Sequence, residues 1–257
     1  MLRIFLLGVA ALVVFSVTVL IYLPAVYVSS LAEEKSLGRY ALEDVRGTVW
    51  EGSAILVSAP DQNGIRVAYL PGRFAWHISP MLLLGQIAIQ IENTEALTEV
   101  IKINGDWHQW LIHPSGIRLK AEQLALLGAP FNTLKLSGDF LMSWQEMQIA
   151  LQDHEIEIIG MMQVDFKKIS SALSPVKPLG EYQLKITCLR QYANVQLKTL
   201  QGPLQLQGRG IFNQGRLKFT GEAYADAGQE KKLSLLLNLL GQPKREGNPN
   251  LIALEFK

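Results

Sequence analysis

Alternation of apolar and polar side chains with a period of two recurs along most of this chain and commits it to a sheet. In "QIAIQIE" Ile87, Ile89 and Ile91 alternate with Gln86, Ala88, Gln90 and Glu92. "GIRLKAE" sets Ile117, Leu119 and Ala121 against Arg118, Lys120 and Glu122, and "YQLKITC" sets Tyr182, Leu184, Ile186 and Cys188 against Gln183, Lys185 and Thr187. "IRVAY" (65–69), "NVQLKT", "PLQLQGRG" and "GRLKFTGEA" repeat the pattern. Successive side chains of a strand point to opposite faces, so each segment reads as a strand with one buried and one wet face. The segments recur at intervals of about ten residues, broken by Gly, Pro, Asn or Asp, which predicts an antiparallel meander rather than βαβ units. Turns are expected at "DQNG" (61–64), "INGD" (103–106) and "FNQG" (212–215). The expected fold is mainly β: a curled or sandwich-like antiparallel meander over residues 40–257, with one or two short helices.

The helical expectations are few. Ser30-Leu31-Ala32-Glu33 has the form of a capping box, and "EQLALL" (122–127) has room for one turn before Gly128 and Pro130. Over 226–240, Asp226 is a candidate N-cap, and Leu233, Leu236, Leu237 and Leu240 recur at helical spacing before Gly241 and Pro243. Leu235 and Leu239 make that helix apolar on a second side, so it is expected to be buried twice over or to meet a partner. The tract 167–180, "KKISSALSPVKPLG", reads as a soft internal division, and "LIALEF" as a final strand.

The N-terminus departs from the meander. From Ile4 to Leu23 there are 20 residues without a charge, roughly 30 Å as a helix and enough to cross a bilayer's hydrocarbon core. Residues 1–3, with Arg3, precede this run, whereas Glu33, Glu34 and Lys35 follow it in the linker 24–39. The positive-inside rule then places the N-terminus in the cytoplasm and residues 40–257 across the membrane. Tyr22 and Tyr27 fall where interfacial aromatics sit. The run exceeds the roughly 7–15 apolar residues of a cleaved signal, for which Ser30-Leu31-Ala32 is the small-x-small candidate, and a retained anchor is the preferred reading.

Composition narrows the function classes. Net charge is +1, so no basic footprint points to nucleic acid. A single cysteine, Cys188, rules out an intrachain disulfide and any multi-cysteine zinc site. His77, His108, His113 and His154 lack metal-motif spacing, and no G-x-S-x-G, P-loop or G-x-G-x-x-G is present. Asp153, Glu155 and Glu157 share one strand face at about 7 Å spacing, a pattern read as a solvated face rather than a cation site. "DWHQWLIH" around His108 reads as a turn and strand whose Trp107 and Trp110 cover a sheet edge. "DVRGTVWEGSA" (44–54) packs Asp44, Arg46, Trp50 and Glu51 between glycines, yet offers no nucleophile with a base. It is read as architecture, with Val45, Gly47 and Val49 on one strand face, Arg46, Thr48 and Trp50 on the other, and Gly52 permitting a bend. Catalytic, metal and cofactor sites are all expected to be absent.

Three stretches, "VRGTVWEGSA" (45–54), "GRFAWHISPMLLLG" (72–85) and "GRLKFTGEA" (215–223) followed by a leucine-rich helix, together resemble type II secretion system protein N. The resemblance covers the N-terminal span, the first third and the last sixth of the chain. The matched positions are Gly47, Trp50, Gly52, Trp76, Pro80, Gly215, Phe219, Gly221 and Glu222, all read as fold determinants. The resemblance implies a non-catalytic inner-membrane component of a Gram-negative exporter, with a periplasmic β-domain. Its partners would be other secretion components, the inner-membrane platform and the outer-membrane secretin among them. The alternative is a lipid-binding or lipid-conduit module, similar to proteins related to AsmA, that holds acyl chains on the apolar sheet face.

Overall fold

The computed structural model describes residues 2–37, 40–58, 66–127, 131–152, 155–243 and 251–256. Two helices, α1 (Leu2–Ile21) and α2 (Val26–Lys35), precede the sheet. The first strands are β1 (Tyr40–Gly47), β2 (Glu51–Ser58), β3 (Phe74–Ile78), β4 (Gln86–Glu92), β5 (Ile101–Asp106) and β6 (Gln109–Ile112). Then come β7 (Ser115–Lys120), a short α3 (Phe131–Leu134), β8 (Leu136–Trp144), β9 (Met147–Gln152) and β10 (Glu155–Ser171). The chain finishes with β11 (Gly180–Arg190), β12 (Tyr192–Gln201), β13 (Leu204–Asn213), β14 (Arg216–Ala225), α4 (Glu230–Leu240), β15 (Gln242–Pro243) and β16 (Ile252–Phe256).

Among the described residues the sixteen strands join one antiparallel sheet, whose main path of fourteen runs β1-β2-β3-β4-β5-β6-β9-β10-β11-β12-β13-β14-β16-β15. The β7–β8 hairpin branches from this path. β10, at 17 residues, is long enough to pair with β9 along its first part and with β8 along its second. The tract 167–180 comprises the end of β10, the connection, and the first residue of β11, so paired strands run up to it from both sides.

Antiparallel order gives the sheet two ends. At one end lie the β1–β2, β3–β4, β5–β6, β11–β12 and β13–β14 connections, together with the end of α1. At the other lies the main core. There α4 sets Leu233, Leu236 and Leu237 against Leu179, Tyr182, Leu204 and Phe219, all buried. The Ala121–Leu127 3-10 turn adds Ala121 and Leu124 to the same cluster. A smaller cluster of Met147, Cys188 and Ala193 fills the middle of the sheet.

Several local expectations shift. "INGD" lies inside β5, because the Asp106 carboxylate accepts the His108 and Gln109 amides and moves the turn onto Trp107 and His108. α2 begins at Val26, and Ser30 is mid-helix, its hydroxyl donating to the Val26 carbonyl at 3.3 Å rather than capping. α4 begins with Gln229 in the N-cap position, while Asp226 accepts the Gln229 amide through its own carbonyl at 3.0 Å. Of "IRVAY", Ala68 alone makes a bridge, to Val57; Ile65 and "DQNG" fall outside the described residues. Leu235 and Leu239 are exposed on the outer face of α4.

Among the described residues, no helix is long and apolar enough to cross a membrane. α1 itself has 20 residues, and the side chains of Leu2 and Ile4 near its start lie outside that description.

Candidate functional site: a hairpin that holds the N-terminal helix

The stretch 44–54 forms the β1–β2 hairpin, and its tip grips the end of α1. A helix leaves its last carbonyls without intrahelical partners, and Pro24 bars continuation beyond Leu23. The Trp50 indole donates to the Leu20 carbonyl at 2.7 Å, and the Val49 amide donates to the Leu23 carbonyl at 2.8 Å. The Ala25 amide in turn donates to the Gly47 carbonyl at 3.0 Å, and Pro24 bridges Thr48. A second indole, Trp76 on β3, donates to the Val49 carbonyl at 3.0 Å and fixes the tip from the other side. α2 closes the joint by packing on β1, with the Ser29 hydroxyl donating to the Leu42 carbonyl at 3.1 Å.

Two glycines make this clasp fit. Gly47 has φ +88°, a conformation open to glycine and strained for other residues. Gly52 pairs with Trp76 across β2–β3, and a Cβ there would lie 2.5 Å from the indole Cζ2 and 2.8 Å from the carbonyls of Arg46 and Thr48. The aromatic ring thus occupies the space a side chain would need.

Asp44 departs from regular strand geometry, with φ +49° at a shift of register between Glu43 and Arg46. The bulge shifts the pairing by one residue, after which Arg46 and Gly47 pair with Ser53 and Gly52 in order; the expected alternation stops at Gly47, because Thr48, Val49 and Trp50 form the turn between β1 and β2 rather than strand. The Asp44 carboxylate accepts bonds from Arg46 at 2.9 and 3.1 Å and from Arg73. Arg73 also donates to the Asp44 carbonyl at 2.8 Å and to the Ser53 hydroxyl at 3.1 Å. The Arg46 hydrogen bond, with the charge of both guanidiniums behind it, holds the Asp44 carboxyl below its usual range. Beside the hairpin is a cleft of about 480 Å³, lined by Arg46, Glu51, Trp76, His77 and Glu92 among others.

Pro80 opens the 3-10 turn Pro80–Leu84 after β3, whose Ser79 hydroxyl accepts the Met81 amide at 3.3 Å. The remaining motif residues lie well along the sheet order, on the β13–β14 hairpin. Gly215, φ +75°, makes its turn; Phe219 is buried; and its ring lies where a Cβ on Gly208 or Gly221 would be. Glu222 accepts from Gln207 at 3.3 Å. The two groups share one device, an aromatic ring laid over glycine, without being neighbours in the sheet.

Among the described residues, no group of three or more His, Cys, Asp and Glu is placed to hold a metal ion. Glu155 accepts from Gln191 at 2.6 Å and Glu157 from Arg190 at 3.5 Å; Asp153 and His154 lie outside the described residues. His113 meets the Asn104 amide at 3.1 Å. Trp107 is exposed at its turn, and Trp110 is half-buried on β6. Under α4 lies a wholly apolar cavity of about 180 Å³, lined by Phe166, Leu179, Tyr182, Leu236 and others.

A family model described as type II secretion system (T2SS), protein N, matches residues 39–251. The chain belongs to that family. The matched span runs from β1 to the last residue before β16 and includes all nine motif positions, with α1 outside it. Neither curated proteins nor solved structures gave a match. Membership in the protein N family makes the chain a type II secretion component, with other components of that system as its partners. Sequence reasoning missed Arg73, which reaches Asp44 across 29 residues, and the carbonyls of Leu20 and Leu23 as the targets of Trp50 and Val49. Tryptophan beside a glycine-flanked turn was the available signal.

Proposed function

We propose that this protein N family member is a non-catalytic scaffold, held in the inner membrane by α1 and presenting its sheet to the periplasm. The observation that carries the reading is the joint between α1 and the motif hairpin. A helix whose apolar side chains are exposed all round, from Phe5 to Ile21, is bonded at its end to the most distinctive segment of the sheet. Exposed Val, Leu and Phe on every side of a helix are costly in water and favourable in hydrocarbon. With Arg3 before the apolar run, the N-terminus remains cytoplasmic. Partner contact is assigned to the β15–β16 edge, which pairs with no further strand among the described residues, and to the outer face of α4, where Leu235 and Leu239 are exposed.

The lipid-module alternative draws support from the apolar cavity under α4. At about 180 Å³ it is smaller than the roughly 300–1,000 Å³ of ordinary ligand pockets, so the scaffold reading is preferred. Deleting the gene in its native host, with a complemented control, separates the two. Exported enzymes accumulating in the periplasm behind an intact outer membrane are the expected result. Normal secretion with a leaky outer membrane would overturn the scaffold reading and favour lipid handling.

A further inference from the structure

We infer that the loop after β3 and the turn after β5 form a second contact with the bilayer, beside the point where α1 leaves it. The inference rests on the proposal that α1 is a membrane anchor, and adds where the sheet meets the lipid surface.

The position of these segments relative to α1 follows from direct bonds. The Trp50 indole holds the Leu20 carbonyl, and the Trp50 carbonyl accepts the Ile78 amide at 2.6 Å. Ile78 ends β3 and is linked through Trp50 to Leu20, so the turn Pro80–Leu84, which begins two residues later, starts beside the end of the helix. β4 starts at this same sheet end, and Gln86 pairs with Asp106, the last residue of β5. The Trp107 turn therefore lies next to the Pro80–Leu84 turn. Gly85 joins them: its φ is +90°, and a Cβ there would sit 2.9 Å from the Trp107 Nε1. With strands about 4.8 Å apart, β2 to β5 spread over roughly 15 Å.

What these turns present is apolar and unpaired. Leu84 is 78% exposed, Trp107 56%, Leu83 52% and Met81 51%. From Ile78 to Ile91 the sequence has no ionisable side chain, so the loop can enter the interface without desolvating a charge. Asp106, at the base of the Trp107 turn, keeps its carboxylate on the His108 and Gln109 amides. A tryptophan beside leucines and a methionine suits the headgroup boundary, where an amphipathic indole is favoured. Together with the α1 joint, this second contact gives the sheet a fixed orientation to the membrane.

The test uses the full chain with Cys188→Ala, reconstituted in phosphatidylethanolamine–phosphatidylglycerol vesicles. An environment-sensitive fluorophore is attached through L84C, V14C or L200C, and nitroxide lipids carry the quencher near the headgroup or near the chain end. Leu200 is 50% exposed at the opposite sheet end and serves as the control. The expected result is severalfold stronger quenching at L84C than at L200C, greatest with the headgroup-proximal nitroxide, while V14C responds to the deep one. If V14C is quenched but L84C behaves like L200C, the second contact is overturned and the anchor stands. If L84C is shielded from water yet unquenched by either lipid, a protein surface covers the loop and the bilayer assignment falls. If V14C escapes the deep quencher while L84C is quenched, the anchor reading fails and the lipid contact of the loop survives.

Discussion

Gly52 leaves no room for any larger residue. A methyl group at that position meets the Trp76 ring on one side and two backbone carbonyls, of Arg46 and Thr48, on the other. Overpacking of this kind typically costs about 1–3 kcal/mol, and Gly52→Ala should lower the denaturant midpoint accordingly. Adding Trp76→Ala relieves the ring contact but leaves both carbonyls in place and removes the hydrogen bond to Val49, so the double variant should stay destabilised; full recovery would mean that the indole alone sets the constraint. Asp44 shows the complementary, electrostatic side of the same hairpin. Its carboxyl is held below the ordinary value by Arg46 and Arg73. A depressed folded-state value means that the stabilisation is complete above the unfolded value, about pH 3.9, and is lost as pH falls through the folded one. Wild type should therefore exceed Asp44→Asn in stability at neutral pH, and the two unfolding midpoints should converge once pH has fallen through the folded-state value. Parallel curves down to that pH would show that the ion cluster contributes nothing beyond local geometry.

At the scale of elements, α4 carries apolar residues in two different settings. Leu233 is fully buried against the sheet, whereas Leu239 is exposed on the opposite side. Leu233→Ala should cost about 2–5 kcal/mol, and Leu239→Ser should fall within about 0.5 kcal/mol of wild type. A large loss at Leu239 would show that the outer face is covered within the chain rather than reserved for a partner. The i, i+3, i+4 leucine spacing made the buried face readable from sequence, because periodicity is a local property. Strand identity was readable for the same reason in β4, β11 and β14, whose alternation is unbroken. The Asp44 bulge was not, since a single residue at positive φ reverses every face assignment after it. Nor was the sharing of β10 between β8 and β9, which depends on registers between residues far apart in sequence. In the candidate site, Trp50 and the glycines stood out as residues, but their purpose required knowing that Leu20 and Leu23 come to meet them.

Across the whole molecule, buried mass is unevenly shared along one continuous sheet. The buried apolar residues before β7 are Ala25, Ala41, Ala54, Val57, Ala96 and Leu97, mostly small. From Ala121 onward the core collects Leu124, Ile169, Leu179, Tyr182, Val195, Leu204, Phe219 and the α4 leucines. Each large side chain fully buried is worth about 1.5–3 kcal/mol, so the second half holds most of the apolar stabilisation. The link between halves along the sheet path is β6, only four residues long, paired with β9. Hydrogen exchange on the full chain in lipid nanodiscs should therefore find β2–β4 amides exchanging well before those of β11–β13. The step in protection should fall near β6–β9, ahead of the proline-bearing tract 167–180, whose Leu179 is buried in the main core. A sheet that opens first where it adjoins α1 would leave its stable half to hold shape while the hairpin end rearranges. Equal protection from β2 to β13 would overturn this division, making the sixteen strands a single cooperative unit whose edge is held by hydrogen bonding and the α1 joint alone.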